Sequence, residues 1–144
     1  MIKKLLFFVL FLSVMGACSQ QATEEDPSKT NQITLDDVET VITDHGFELE
    51  RESDLPSENV FMQELNGMTP EVYKLEGNTL SVYVFPSEGD RAKGIQEFEE
   101  RTATADVVEH KAYGLNNILV FYVSDDEKIQ NRLFDTLQNL IIPE

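Results

Sequence analysis

The second half of the chain contains two segments with the alternating, strongly apolar pattern of β-hairpins. The predicted strands are 72–75 and 80–85 around Gly77-Asn78, and 107–113 and 118–123 around residues 114–117. Runs rich in β-branched and aromatic residues that flank a Gly- or Asn-containing turn are typical of paired antiparallel strands. A fifth strand is predicted at 47–52, where apolar positions alternate with glutamates. Charge at every second position indicates an edge strand there.

Each hairpin is followed by a pattern that predicts a helix. Ser87 with Asp90, and Ser124 with Glu127, have the spacing of capping boxes, and apolar residues recur at helical intervals after them. The predicted helices run from about 88 to 102 and from about 125 to 141. The repeated order of strand, turn, strand, serine cap and helix suggests a duplicated ββα unit.

An earlier helix is predicted over about 35–45. Thr34 and Asp37 form a capping-box pattern, an apolar stripe follows, and Gly46 is a suitable C-terminal residue. The segment 57–66 is ambiguous between a short helix capped by Ser57 and a strand. Its Met and Phe side chains are more typical of core than of a binding surface.

These elements predict one α+β domain over 34–144, with a mainly antiparallel sheet of four to five strands and helices packed on it. We expect the two C-terminal helices to share one face of the sheet. Strands 80–85 and 118–123 are apolar on both sides, so both faces should be covered. The first helix and the 57–66 segment are then expected to cover the second face.

Incomplete cover of that second face is the alternative. It would leave an apolar groove for a lipid, a peptide or a partner protein, because large exposed apolar patches usually mark interaction sites. The residues that would line this groove are Tyr83, Phe85, Leu119 and Phe121.

The first 18 residues carry a targeting signal. Lys3 and Lys4 precede an apolar run from Leu5 to Met15, and Gly16-Ala17 stands directly before Cys18. About a dozen apolar residues suit a signal peptide, whereas a spanning helix needs roughly 20. Small residues before a cysteine resemble the lipobox of bacterial lipoproteins, although that family favours leucine where Met15 stands. An ordinary signal peptide cut near Ala17, leaving a free thiol on Cys18, is the alternative.

The lipoprotein resemblance implies a processing route and a location. It implies a diacylglyceryl group on the Cys18 thiol, cleavage between Ala17 and Cys18, and anchoring at the extracytoplasmic face of the cell membrane. Each buried CH2 contributes about 0.8 kcal/mol, so two or three long chains should hold the protein there. Residues 19–33, together with the lipidated Cys18, are polar enough to predict a disordered tether.

The net charge narrows the choice of partners. The full chain carries 11 basic and 27 acidic residues; loss of residues 1–17 would leave nine basic residues and a net charge of −18. Phosphate binding needs basic patches, which excludes nucleic acid as an expected partner. With Cys18 lipidated, no cysteine remains for a disulfide, so the domain is expected to depend on its hydrophobic core.

No reaction motif stands out in the sequence. The histidines, His45 and His110, have no metal-ligand spacing, and the run Asp125-Asp126-Glu127 lacks the alternation of a calcium loop. No metal or cofactor is therefore expected.

The expected function is a non-catalytic module that binds an envelope protein, peptide or lipid. The alternative is a small envelope hydrolase or metal-dependent enzyme whose site is assembled only in three dimensions.

Overall fold

A five-stranded antiparallel sheet forms the centre of the computed structural model, which describes residues 32–141. The strand order is β1–β2–β3–β5–β4, and every neighbouring pair is antiparallel. The elements are α1 (Leu35–Asp44), β1 (Leu49–Arg51), β2 (Glu71–Leu75), β3 (Asn78–Val84), α2 (Glu88–Thr102), β4 (Lys111–Leu115), β5 (Ile118–Tyr122) and α3 (Glu127–Leu137), with 3-10 turns at Val60–Met62 and Gln138–Leu140. The predicted α+β class is confirmed.

Both hairpins close through two-residue turns. Leu75 pairs with Asn78, and Leu115 pairs with Ile118. In the first turn Glu76 and Gly77 both have positive φ, of 50° and 80°. Such φ values match the right-handed twist of a hairpin, and glycine adopts them without steric cost. The prediction had placed this turn at Gly77-Asn78, one residue too late.

The fourth strand is shorter than predicted. Residues 107–110 precede β4 and are not extended in the sheet; pairing with β5 begins only at Lys111. β5 ends at Tyr122, which pairs with Lys111, so no β5 residue remains for 107–110 to pair with. Alternation in the sequence continued past the end of the available partner strand.

The first and last helices cover one face of the sheet. Val38 and Ile42 of α1 and Leu133 and Leu137 of α3 are buried in one cluster. The sheet side chains in that cluster are Tyr73, Leu75, Leu80, Val82, Tyr113, Leu115, Ile118, Val120 and Tyr122. This face is called the α3 face below.

The opposite face is covered by α2 and by the segment before β2, and it is called the α2 face. Its buried cluster is Phe61, Leu65, Tyr83, Phe85, Phe98, Leu119 and Phe121. The two C-terminal helices therefore lie on opposite faces, and the prediction that they share one face is wrong. Since β3 and β5 are apolar on both sides, either side was available to each helix.

Hydrogen bonds hold the 57–66 segment on the α2 face. The Ser81 hydroxyl donates to the Phe61 carbonyl at 2.6 Å, and the Tyr83 hydroxyl donates to the Gln63 carbonyl at 2.7 Å. The prediction that this segment covers sheet is confirmed. The segment covers this face together with α2 rather than with α1. The cap of its 3-10 turn is Asn59 rather than Ser57.

The two ββα halves share their element order. A two-fold rotation about an axis normal to the sheet exchanges the two hairpins. It keeps every side chain on the same face of the sheet. Because α2 and α3 lie on opposite faces, that rotation does not superpose the helices. The resemblance between the halves is thus one of strand pairing and chain order.

The first two helix starts follow the predicted capping boxes. The Thr34 hydroxyl accepts from the Asp37 amide, and the Thr34 hydrogen bonds lower the pKa of the Asp37 carboxyl. Ser87 caps α2 by accepting from the Asp90 amide. For α3 the cap is Asp126, which accepts from the Lys128 and Ile129 amides, whereas the predicted cap Ser124 accepts from Asp126.

The folded domain starts earlier than predicted. Ile33 is buried in the cluster of the α3 face, although it had been placed in the tether. The buried Asn117 side chain holds it: its Oδ1 accepts from the Ile33 amide at 2.8 Å, and its Nδ2 donates to the Ile33 carbonyl at 2.9 Å.

Candidate functional site

The four residues predicted to line an apolar groove are core residues. Tyr83, Phe85, Leu119 and Phe121 are at most 2% exposed. Phe98 of α2 and Phe61 pack directly on Phe121, with ring centroids 4.4 and 5.7 Å apart. The groove prediction is corrected accordingly: the second face is closed, because α2 and the 57–66 segment together span it.

The two histidines lie on opposite faces of the sheet. His45 ends α1 on the α3 face, where its Nδ1 is 2.7 Å from the Val41 carbonyl oxygen. His110 was expected on a strand facing solvent, but it lies just before β4 and packs edge-on against Phe61, Phe98 and Phe121. The sheet separates the two imidazoles. Between residues 32 and 141, no three His, Cys, Asp or Glu side chains are grouped to hold a metal ion.

The signal residues, including Ala17 and Cys18, lie outside the described residues. Among the helices of residues 32–141, none has the length and hydropathy needed to cross a membrane.

The outer edge of β4 is open. In the described part of the chain β4 pairs only with β5, and no other backbone hydrogen bond involves its residues. An unpaired edge strand presents N–H and C=O groups that can pair with another chain. This edge is therefore the first element of a candidate binding site.

The ladder identifies which backbone groups point outward. The Val123 amide donates to the Thr79 carbonyl at 2.9 Å, so in the β3–β5 ladder Phe121 and Leu119 direct their hydrogen bonds toward β3. Hydrogen bonding alternates along an antiparallel strand, so their partners across β4 bond away from β5. Those partners are Ala112 and Gly114, both exposed.

A groove of about 390 Å³ runs between β4 and α3 on the α3 face. Its lining residues are Lys111, Ala112, Tyr113, Gly114, Leu115, Gln130, Asn131 and Phe134. All five residues of β4 contribute, so the groove follows the open edge along its whole length.

An aromatic pair forms the apolar part of the groove. The rings of Tyr113 and Phe134 stack with centroids 6.2 Å apart, and the Tyr113 hydroxyl donates to the Gln130 carbonyl at 2.9 Å. Burial, with a smaller contribution from Tyr122, raises the pKa of Tyr113 to about 12, so its hydroxyl stays a donor at neutral pH. Phe134 is 48% exposed, which leaves about half of a large apolar side chain available for contact.

The groove differs in charge from the rest of the molecule. None of its eight lining residues is acidic, in a chain with a net charge of −16. Its one charged residue is Lys111, which forms no ion pair within residues 32–141. The lining of the groove is thus apolar and neutral apart from one lysine, on an acidic protein.

A second cation reaches β4 from the α2 face. The Arg91 guanidinium lies over Gly114 so closely that a Cβ at that position would overlap its Nη1 atom. One nitrogen donates to the exposed Glu88 at 3.2 Å, while Nε is buried with no hydrogen-bond partner in the described part of the chain. A buried donor without a partner costs about 1–3 kcal/mol.

The opposite edge of the sheet is protected. β1 is only three residues long, and Arg51 at its end forms ion pairs with Glu39 at 3.2 Å and Glu71 at 3.5 Å. Short, charged edge strands resist pairing with other chains. The two edges therefore differ in a way that singles out β4.

One residue of this site is recognisable in the sequence. Phe134 falls outside the stripe of Ile129, Leu133 and Leu137 that packs α3 on the sheet. A large aromatic residue next to a helix's buried stripe is a candidate for surface contact.

No family model, curated protein or solved structure matches this chain.

Proposed function

We propose that this protein is a lipid-anchored extracytoplasmic binding module, non-catalytic, that holds a partner in the groove between β4 and α3. The observation that carries the proposal is the combination of an open edge strand with an exposed aromatic side chain and no lining carboxylate. Binding sites are typically concave and mostly apolar, with few polar groups. Backbone groups of Ala112 and Gly114 supply the polar part here.

The anchor part of the proposal rests on Gly16-Ala17-Cys18 and the apolar run before it. A lipid on Cys18 would place the domain at the membrane surface within the reach of its polar tether. At 3.3–3.6 Å per residue, a tether of about 15 residues spans at most roughly 50 Å. The partner would therefore be an envelope component close to the membrane.

Replacing the lipidated residue tests the anchor. In the Cys18→Ser variant we expect incorporation of labelled palmitate to be lost, and the protein to leave the membrane fraction or stay unprocessed. Serine keeps the size of the side chain but lacks the thiol that accepts the lipid. A processed Cys18→Ser variant that still partitions into the membrane would contradict the anchor.

Site-specific crosslinking in intact cells tests the groove. A photoreactive amino acid in place of Phe134 should crosslink a discrete partner. The matched control is the same amino acid in place of Glu50, an exposed position on β1. β1 lies four strand spacings, or roughly 19 Å, from β4. Equal crosslinking from both positions, or none from Phe134, would overturn the groove as the binding site.

A further inference from the structure

We propose that the partner binds by strand addition: an extended segment of a second protein pairs with β4, with apolar side chains on the α3 face over Phe134 and carboxylates on the α2 face beside Arg91. This inference rests on the proposed function and specifies the chemistry of its partner. It has three parts, which are backbone pairing, apolar contact and charge.

The backbone part follows from the open ladder. Ala112 and Gly114 each direct one N–H and one C=O away from β5. An added strand in register with both residues forms four main-chain hydrogen bonds and extends the sheet to six strands. In strand addition the main chain provides affinity, and alternate side chains provide specificity.

The apolar part follows from the alternation of side chains. Every second side chain of an added strand points to the α3 face, where Tyr113 and Phe134 line the groove. A branched aliphatic or aromatic side chain there covers the exposed part of Phe134. The occupant is therefore an extended segment with an apolar residue at this position.

The charge part concerns the two cations beside β4, which lie on opposite faces of the sheet. Lys111 has the same side-chain direction as Tyr113, so it lies beside a neighbouring position of the added strand on the α3 face. Arg91 lies over Gly114 on the α2 face, with its buried Nε unpartnered in the described part of the chain. An alternating strand carries one kind of side chain on each face. With its apolar residues on the α3 face, its carboxylates lie on the α2 face beside Arg91, which predicts a segment that alternates apolar and acidic residues.

A second copy of this chain fits less well as the occupant. Each copy carries a net charge of −16, so two copies repel each other as whole molecules. β4 itself bears Lys111 and no carboxylate, so a second β4 brings no acid to Lys111 or Arg91. A partner strand with its own carboxylates on the α2 face brings an acid to Arg91.

Binding of defined peptides tests the proposal. The probes are fluorescein-labelled nine-residue peptides that alternate Val with Glu, or Val with Lys, titrated with the full-length protein in detergent and followed by anisotropy. We expect the Val-Glu peptide to bind at least about tenfold tighter. The net charge of the protein alone predicts the reverse order, so equal or tighter binding of the Val-Lys peptide would overturn the proposal.

Variants separate strand addition from surface adhesion. Ala112→Pro removes one outward N–H and leaves the β5 ladder intact, because the Ala112 N–H points away from β5. Proline is tolerated at such positions of edge strands. It should weaken Val-Glu binding about tenfold, and Phe134→Ala should do the same. Ile141→Ala, which removes a side chain of similar exposure (50%) outside the groove, should leave binding unchanged.

A modified peptide keeps the test valid if Ala112→Pro unfolds the domain. N-methylation of alternate Val-Glu amides blocks main-chain pairing and leaves the protein intact, so one of the two alternate methylation patterns should abolish binding. Retained affinity for both patterns would overturn strand addition. A concentration-dependent dimer in native mass spectrometry, abolished by Ala112→Pro, would instead identify a second copy as the occupant and overturn the partner-strand proposal.

The peptide and crosslinking experiments fail independently. A discrete crosslink from Phe134 without Val-Glu binding leaves the groove as the binding site and removes strand addition by an acidic segment. Absence of the crosslink from Phe134 removes the groove as the binding site and therefore the proposed function itself.

Discussion

Gly94→Val is expected to destabilise the domain by about 3 kcal/mol. Gly94 lies in α2 directly over the buried Phe85 ring, and a Cβ at that position would stand 2.5 Å from Cζ and 2.8 Å from Cε1. Those atoms belong to a rigid ring in the closed core, so relief requires α2 to move away from the sheet. Overpacking typically costs 1–3 kcal/mol, and valine adds two methyl groups beyond the Cβ.

The measurement is thermal unfolding followed by circular dichroism. One kcal/mol shifts the midpoint of a domain of this size by roughly 4–8 °C, so a fall of more than about 10 °C is expected. Gly89→Ala in the same helix is the matched control, because a Cβ there meets only the Ser87 hydroxyl at 3.7 Å. It should be neutral or stabilising by up to about 1 kcal/mol, since alanine is the better helix former. Similar midpoints for Gly94→Val and the native protein would contradict the close packing.

Asn117→Ala is expected to cost about 2–4 kcal/mol. The Asn117 side chain is buried and makes three hydrogen bonds: two to the Ile33 backbone and one from Nδ2 to the Phe85 carbonyl at 3.1 Å. Alanine leaves these backbone groups without a side-chain partner, and each buried unsatisfied group costs about 1–3 kcal/mol. Residues 32–33 should then separate from the sheet and expose Ile33 to water.

Two readouts distinguish this local separation from a general loss of stability. The free energy of unfolding in urea gives the magnitude, and hydrogen exchange should show faster exchange at the Ile33 amide. Asn139→Ala is the control, because the exposed Asn139, in the 3-10 turn after α3, donates to the Asp135 and Thr136 carbonyls of the last turn of α3. If the Asn117→Ala domain were as stable as the Asn139→Ala domain, the contacts of residues 32–33 with the sheet would contribute nothing to stability.

The elements of the domain could be predicted from short-range pattern. The capping residues Thr34 and Ser87, the two hairpins and the apolar stripe of α3 depend on residues within a few positions of one another. Hydrogen bonds to N3 amides and the two side-chain periodicities are local, so sequence spacing is enough to identify them. The cap of α3 was misplaced by two residues because Ser124 and Asp126 are both possible acceptors before the helix.

The sequence could predict that both faces of the sheet are covered, but not which helix covers which face. Apolar side chains on both sides of β3 and β5 required cover on both faces, and both faces are covered. Which helix covers which face depends on the path of the connecting loops and on the fit of whole surfaces. The predicted groove residues, such as Tyr83 and Phe121, consequently lie under α2.

The location of the candidate site depended on the tertiary structure. Whether a strand is central or at an edge is a property of strand order, and nothing in the local sequence of Lys111–Leu115 states that β4 has one neighbour. The same holds for the groove, since Phe134 and Tyr113 come together only when α3 returns across the sheet. Sequence by itself determined most of the elements and the acidity, because both depend on residue type and short-range spacing. The packing of helices on a particular strand order decided where a partner can bind.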